Sequence, residues 1–184
     1  MIQYSYTGNS ELIKSAVREA QRLLSSAVFL SRIEEHSEFF DDPEQPSGKS
    51  NVNGAIVSAI IRDADLVMTI KYYRSKNPWS WAVAYVNPAQ PSTLYLNTRK
   101  FEAGTIAGYT NTLIHETIHA LDSQNTVYHF GHGENDSDGK ENTAPYWIGC
   151  LAERYLTGDN SACTYPLGEN KEDVAAVFEP SDIA

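Results

Sequence analysis

The sequence predicts an α+β fold, and three observations predict it. Apolar residues recur at helical spacing over 10 to 30 and again, for a shorter stretch, over 52 to 62. Three stretches rich in β-branched and aromatic residues, 65 to 73, 81 to 86 and 93 to 97, follow between turn signals. Helical patterning then resumes at 109 to 122 and 145 to 156. A chain of 184 residues with 41% apolar and 21% charged residues can bury one sizeable core, so a single domain over 1–184 is expected.

The elements are justified in chain order. Gln3 to Tyr6 fits a short strand. Asn9 or Ser10 caps a helix whose first turn carries Glu11. Leu12, Ile13, Ala16, Ala20, Leu23, Leu24 and Ala27 form one apolar stripe, so a single long helix over 10 to 30 is expected. Asp-Asp-Pro and Gln-Pro-Ser-Gly mark 31 to 50 as a loop. Ala55, Ile56, Ala59 and Ile60 predict the next helix. Asn77-Pro78 and Asn87-Pro88 separate the three strand candidates. Pro145 opens the helix that Gly158 is placed to end. Lys171 to Phe178 is expected to be a last short helix.

The helix over 109 to 122 carries His115-Glu116-Thr117-Ile118-His119. Residues four apart share a helix face, so His115 and His119 can offer two imidazole nitrogens to one metal ion. Glu116 projects into a neighbouring sector, where its carboxylate can take a proton from a water on that metal. Ile114, Ile118 and Leu121 lie about 100° round from the histidines and give the helix a core-facing stripe.

The net charge of −10 argues against nucleic-acid and anionic-membrane partners, which need clustered Lys and Arg. Cys150 and Cys163, the two cysteines, make no disulfide scaffold; they could pair, but two reduced thiols are the favoured expectation. No apolar run reaches transmembrane length. The first residues, Met1-Ile-Gln-Tyr-Ser-Tyr, do not form a secretory signal. The chain is therefore expected to be cytoplasmic, to leave the cell by a signal-independent route, or to be a piece of a longer protein.

H-E-x-x-H on a helix, with a strand closely before it, resembles the zincin metallopeptidases over about residues 52 to 156. The resemblance implies a small mixed sheet beside the active-site helix, packed by further helices. Its edge strand, matched by Thr93 to Asn97, would lie along the cleft and pair with an extended substrate. It also implies one zinc ion on three protein ligands. The metzincin pattern does not continue here, because Asp122 and Asn125 stand where its Gly and last His would be. A His in a following loop, as in Gly131-His132-Gly133, makes His132 the preferred third ligand. His129, Glu153, Asp136, Asp138 and Glu141 remain alternatives.

Tyr146 is a candidate donor to the oxyanion of a tetrahedral intermediate, or an aromatic packed between helices. Asp122 is expected to support a ligand's other ring nitrogen or to cover the helix end. Trp79, Trp81 and Trp147 are expected in the core or the cleft walls, and His36 at the surface. The resemblance implies a zinc-dependent metallopeptidase, a monomer acting on protein or peptide, with Glu116 as general base. Two alternatives stay open: a hydrolase of cell-wall peptide, toxin-like in character, and a zinc-stabilised binding module without turnover.

Overall fold

In the computed structural model, which describes residues 1–39, 52–80, 82–87, 89–132, 140–164 and 174–182, the chain opens with a short strand, β1 (Ile2–Ser5). Two helices follow, α1 (Glu11–Leu24) and α2 (Ala27–Glu34). They replace the single helix expected over 10 to 30. Ser25 and Ser26 break it: the Ser26 amide donates to Leu23 O at 2.9 Å, and the Ser26 hydroxyl accepts from the Phe29 amide as the cap of α2. The loop expected from 31 therefore starts later, and its residues 40 to 50 lie outside the described set.

Helix α3 (Gly54–Asp63) leads into the long strand β2 (Leu66–Ser75). A hairpin of β3 (Ala84–Asn87) and β4 (Gln90–Asn97) comes next. A 3₁₀ turn connects it to α4 (Ile106–Gln124), the longest helix among the described residues. Helix α5 (Ala144–Thr157) and strand β5 (Val174–Phe178) complete the described elements. Among the described residues the chain is α+β, with a small mixed sheet and five α-helices.

Strand β2 organises the sheet. Its first half pairs in parallel with β1, from Ile2↔Leu66 to Ser5↔Thr69. Its far side pairs in parallel with β4, and β4 pairs antiparallel with β3. Thr93 to Asn97 is thus an interior strand, not the edge expected for it. The tight turn at 87–90 folds β3 back onto β4, and β3 becomes the edge. The helix expected over 171 to 178 is also corrected. β1 ends too early to cover Tyr72 and Tyr73, and Val174, Val177 and Phe178 supply β-forming residues that pair there antiparallel.

Helix α4 differs from its expected one-striped form. From Tyr109 to Ile118 every residue is buried, because α1, α5 and the sheet all pack on it. Its threonines tolerate this by turning their hydroxyls to the helix's own carbonyls: Thr110 to Ile106, Thr112 to Gly108 and Thr117 to Leu113, at 2.7–3.0 Å. Thr117 also meets Tyr4 of β1 at 2.7 Å, which ties the helix to the sheet. One buried apolar cluster runs from Ile2 through Phe29, Ile70 and Leu113 to Ala152. No helix among the described residues is long and apolar enough to cross a membrane.

Candidate metal centre

His115 and His119 lie one turn apart on α4, and the chain beyond the helix returns to bring His132 to the same face. The three Nε2 atoms form a triangle with sides of 3.2, 2.8 and 3.2 Å. Tetrahedral ligand nitrogens at about 2.0–2.1 Å from a metal stand roughly 3.3 Å apart; two sides of the triangle match that spacing and the third is about half an ångström shorter. His115 is buried, and the other two are half-buried. Burial, reinforced by His132 and His129, holds His119 well below the ordinary histidine range, so its ring is neutral and has a lone pair to give. Converging imidazole lone pairs repel one another and are reconciled by a shared cation. The donor set therefore fits a metal ion.

The return path of the chain has two visible causes. Asp122, in the last turn of α4, accepts from His129 Nδ1 at 2.8 Å and from the Phe130 amide at 2.7 Å through one carboxylate oxygen. Gly131 then passes so close that a Cβ there would lie 2.6 Å from Asp122 Oδ2 and 3.7 Å from His119 Nδ1. Only glycine fits this approach, and the next residue is His132. Asp122 thus anchors the segment that carries the third histidine. The sequence left it as support for a ligand's ring or as cover for the helix end; its carboxylate instead binds His129 and the Phe130 amide, beyond the end of α4.

Glu116 is 6% exposed. Desolvation pushes its carboxyl up to about 8, which puts its proton uptake near neutral pH, where a general base must operate. Tyr146 is fully buried, with its ring centroid 4.5 Å from both the His115 and His132 rings. It wedges the two imidazoles in place. A cavity of about 340 Å³ borders the preceding turn of α4, lined by Val83, Tyr109, Thr112 and Thr164 among others. Thr112 is one turn before Glu116, and Val83 leads into the edge strand β3.

The other candidates lie elsewhere. His129 is held by Asp122. The Glu153 carboxylate is engaged by Asn111 and Thr164. Glu141 is exposed, and Asp136 and Asp138 fall outside the described residues. His36, expected at the surface, is instead stacked 4.3 Å from both Phe39 and Trp147, and burial lowers its pKa. Trp147 is half-buried in that stack. Trp79 is 83% exposed and contributes to neither core nor wall, while Trp81 is outside the described residues. Cys150 and Cys163, expected as thiols, form a disulfide with Cα atoms 4.7 Å apart. Gly158, at φ 70°, turns the chain back after α5 and permits this pairing.

Sequence reasoning missed Asn111 and Thr164. Asn111 precedes His115 by one helical turn, and a polar residue there signalled a second polar contact on the α5 side.

No protein-family model matches the chain, and neither a curated protein nor a solved structure matches it at a significant level.

Proposed function

We propose that this chain is a zinc-dependent hydrolase that cleaves peptide bonds. The observation that carries the reading is the convergence of three Nε2 atoms, 2.8–3.2 Å apart, two of them from a helix whose buried Glu116 follows the first of these histidines in sequence. His115, His119 and His132 would hold the zinc. Held there, zinc would lower the pKa of a bound water toward neutrality and polarise a carbonyl.

The chain's own groups supply the rest. Glu116 takes the proton as the water attacks the peptide carbonyl, and later gives it to the leaving amine nitrogen. Tyr146 fixes the orientation of His115 and His132, and in this reading its hydroxyl also supports the oxyanion. Strand β3, the outer strand on this side of the sheet among the described residues, would run alongside an extended substrate. The adjacent cavity gives room for a substrate side chain.

Among peptide substrates, the Cys150–Cys163 disulfide favours one met outside a reducing cytosol, such as cell-wall peptide. The test is a cleavage screen of zinc-loaded protein against a peptide library and cell-wall fragments, with Glu116→Gln alongside. The wild type should cleave, and the variant should bind zinc equally and cleave nothing. A wild type that binds zinc but cleaves no member of either set would leave a binding module as the better account.

A further inference from the structure

One turn before His115, α4 enters a second polar cluster that the metal centre does not use. Its hub is Glu153 on α5, which is 8% exposed. Glu153 Oε2 accepts from Asn111 Nδ2 at 2.8 Å and from the Thr164 amide at 2.6 Å. Glu153 Oε1 accepts from the Thr164 hydroxyl at 2.8 Å. Asn111 Nδ2 also donates to Thr164 O at 2.7 Å, which closes a ring between α4, α5 and the strap after α5. Asn111 itself is fully buried.

The strap is short and tightly guided. Gly158 turns it, Asp159 accepts from the amide and hydroxyl of Ser161, and Arg154 Nε donates to Ala162 O at 3.1 Å. Cys163, immediately before Thr164, is bonded to Cys150 on the same helix as Glu153. The disulfide therefore holds Thr164 at high effective concentration beside the carboxylate. Of the three donors to that carboxylate, two come from Thr164. A carboxylate this buried is costly to leave with fewer partners.

We propose that the Cys150–Cys163 disulfide and the Asn111–Glu153–Thr164 ring form a redox-sensitive latch on the α4–α5 seam. A dithiol reductant attacks through its thiolate at Cys163, the half-buried sulfur, and Cys150 leaves as thiolate. The reductant's second thiol then resolves the mixed disulfide. Two electrons pass to the protein, two cysteine thiols form, and the reductant ends as its own disulfide. The freed strap withdraws Thr164, and Glu153 keeps Asn111 as its donor. The seam loosens at the turn that precedes the first metal-binding histidine. None of this depends on whether the chain cleaves peptides.

The test follows the Thr164 amide by hydrogen exchange in the full chain. It should be protected in the oxidised protein and exchange at least about tenfold faster after reduction by dithiothreitol and in Cys150→Ser/Cys163→Ser. Amides of β2 that pair with β4 should keep their protection. Equal protection of Thr164 in both states overturns the latch. If the double variant unfolds throughout, the decision passes to Glu153→Gln with the disulfide intact. Its amide group cannot accept from all three donors, so dithiothreitol should reduce its disulfide several-fold faster than in the wild type. An unchanged reduction rate overturns the proposal as well.

Discussion

Two polar clusters sit on one seam, a single helical turn apart on α4, and they are built on opposite principles. In the Glu153 cluster the donors and acceptors answer one another: one carboxylate, three donors, a ring closed through Asn111 and Thr164. In the histidine cluster like atoms face like atoms, three Nε2 within 3.2 Å. The first arrangement satisfies the Glu153 carboxylate within the chain and holds two helices and a strap together, and of its polar atoms Asn111 Oδ1 is buried with no hydrogen-bond partner among the described residues. The second makes chemical sense around a cation. Burial alone does not mark a functional site, since each cluster has a buried member at its heart, His115 in one and Glu153 in the other. Complementarity within the cluster separates them.

The largest expected effect is on the histidine side. His132→Ala should lose zinc affinity by more than the 10–100-fold that a supporting residue typically costs, measured against a competing chelator. His129→Ala should lose far less, and the reverse order would reassign the third ligand. Asp122→Ala should fall between them, within that 10–100-fold range, because it frees the turn that delivers His132. If Asp122→Ala retained zinc like the wild type, the return of the chain would not need its anchor.

A change on the other cluster should act on stability first. A Cβ at Gly149 would lie 2.2 Å from Asn111 Oδ1 and 3.2 Å from Asn111 O. Gly149→Ala should therefore push α4 and α5 apart and destabilise the fold by about 1–3 kcal/mol, read by thermal or denaturant unfolding. Its zinc affinity should change less than that of Asp122→Ala. The opposite ranking would mean that the two clusters are not separable.

A further expected effect is a pH slope. In metal-free protein the Glu116 carboxyl is held up to about 8 by burial, while in the unfolded chain it titrates near its ordinary value of 4.5. Below that ordinary value both states are protonated and no penalty arises. As pH rises toward about 8 the unfolded chain releases its proton first, so stability falls, and above that it levels. Glu116→Gln should flatten this slope. A slope unchanged by the substitution would place its origin in another group.

The two clusters also differ in how legible they were. H-E-x-x-H is local: helical spacing alone puts two imidazoles on one face. His132 needed one further cue, the glycine before it, which the close pass beside Asp122 explains. The Glu153 ring joins three segments far apart in sequence, and no local pattern encodes it. The same holds for the sheet. Strand candidates were readable from composition, but the order β1-β2-β4-β3 depends on the hairpin, which moved the edge from Thr93–Asn97 to β3. Val174–Phe178 became a strand because half of β2 had a free side to offer. The break at Ser25–Ser26 was visible in principle, since consecutive serines can end one helix and cap the next.

The most direct test of the metal centre is zinc-edge X-ray absorption on protein loaded to measured stoichiometry. The account predicts one zinc per chain, with three imidazole nitrogens at about 2.0–2.1 Å and one further oxygen. His132→Ala should lower the imidazole count to two. Failure to retain one equivalent of zinc at neutral pH, or a spectrum with fewer than three imidazoles in the wild type, would contradict it.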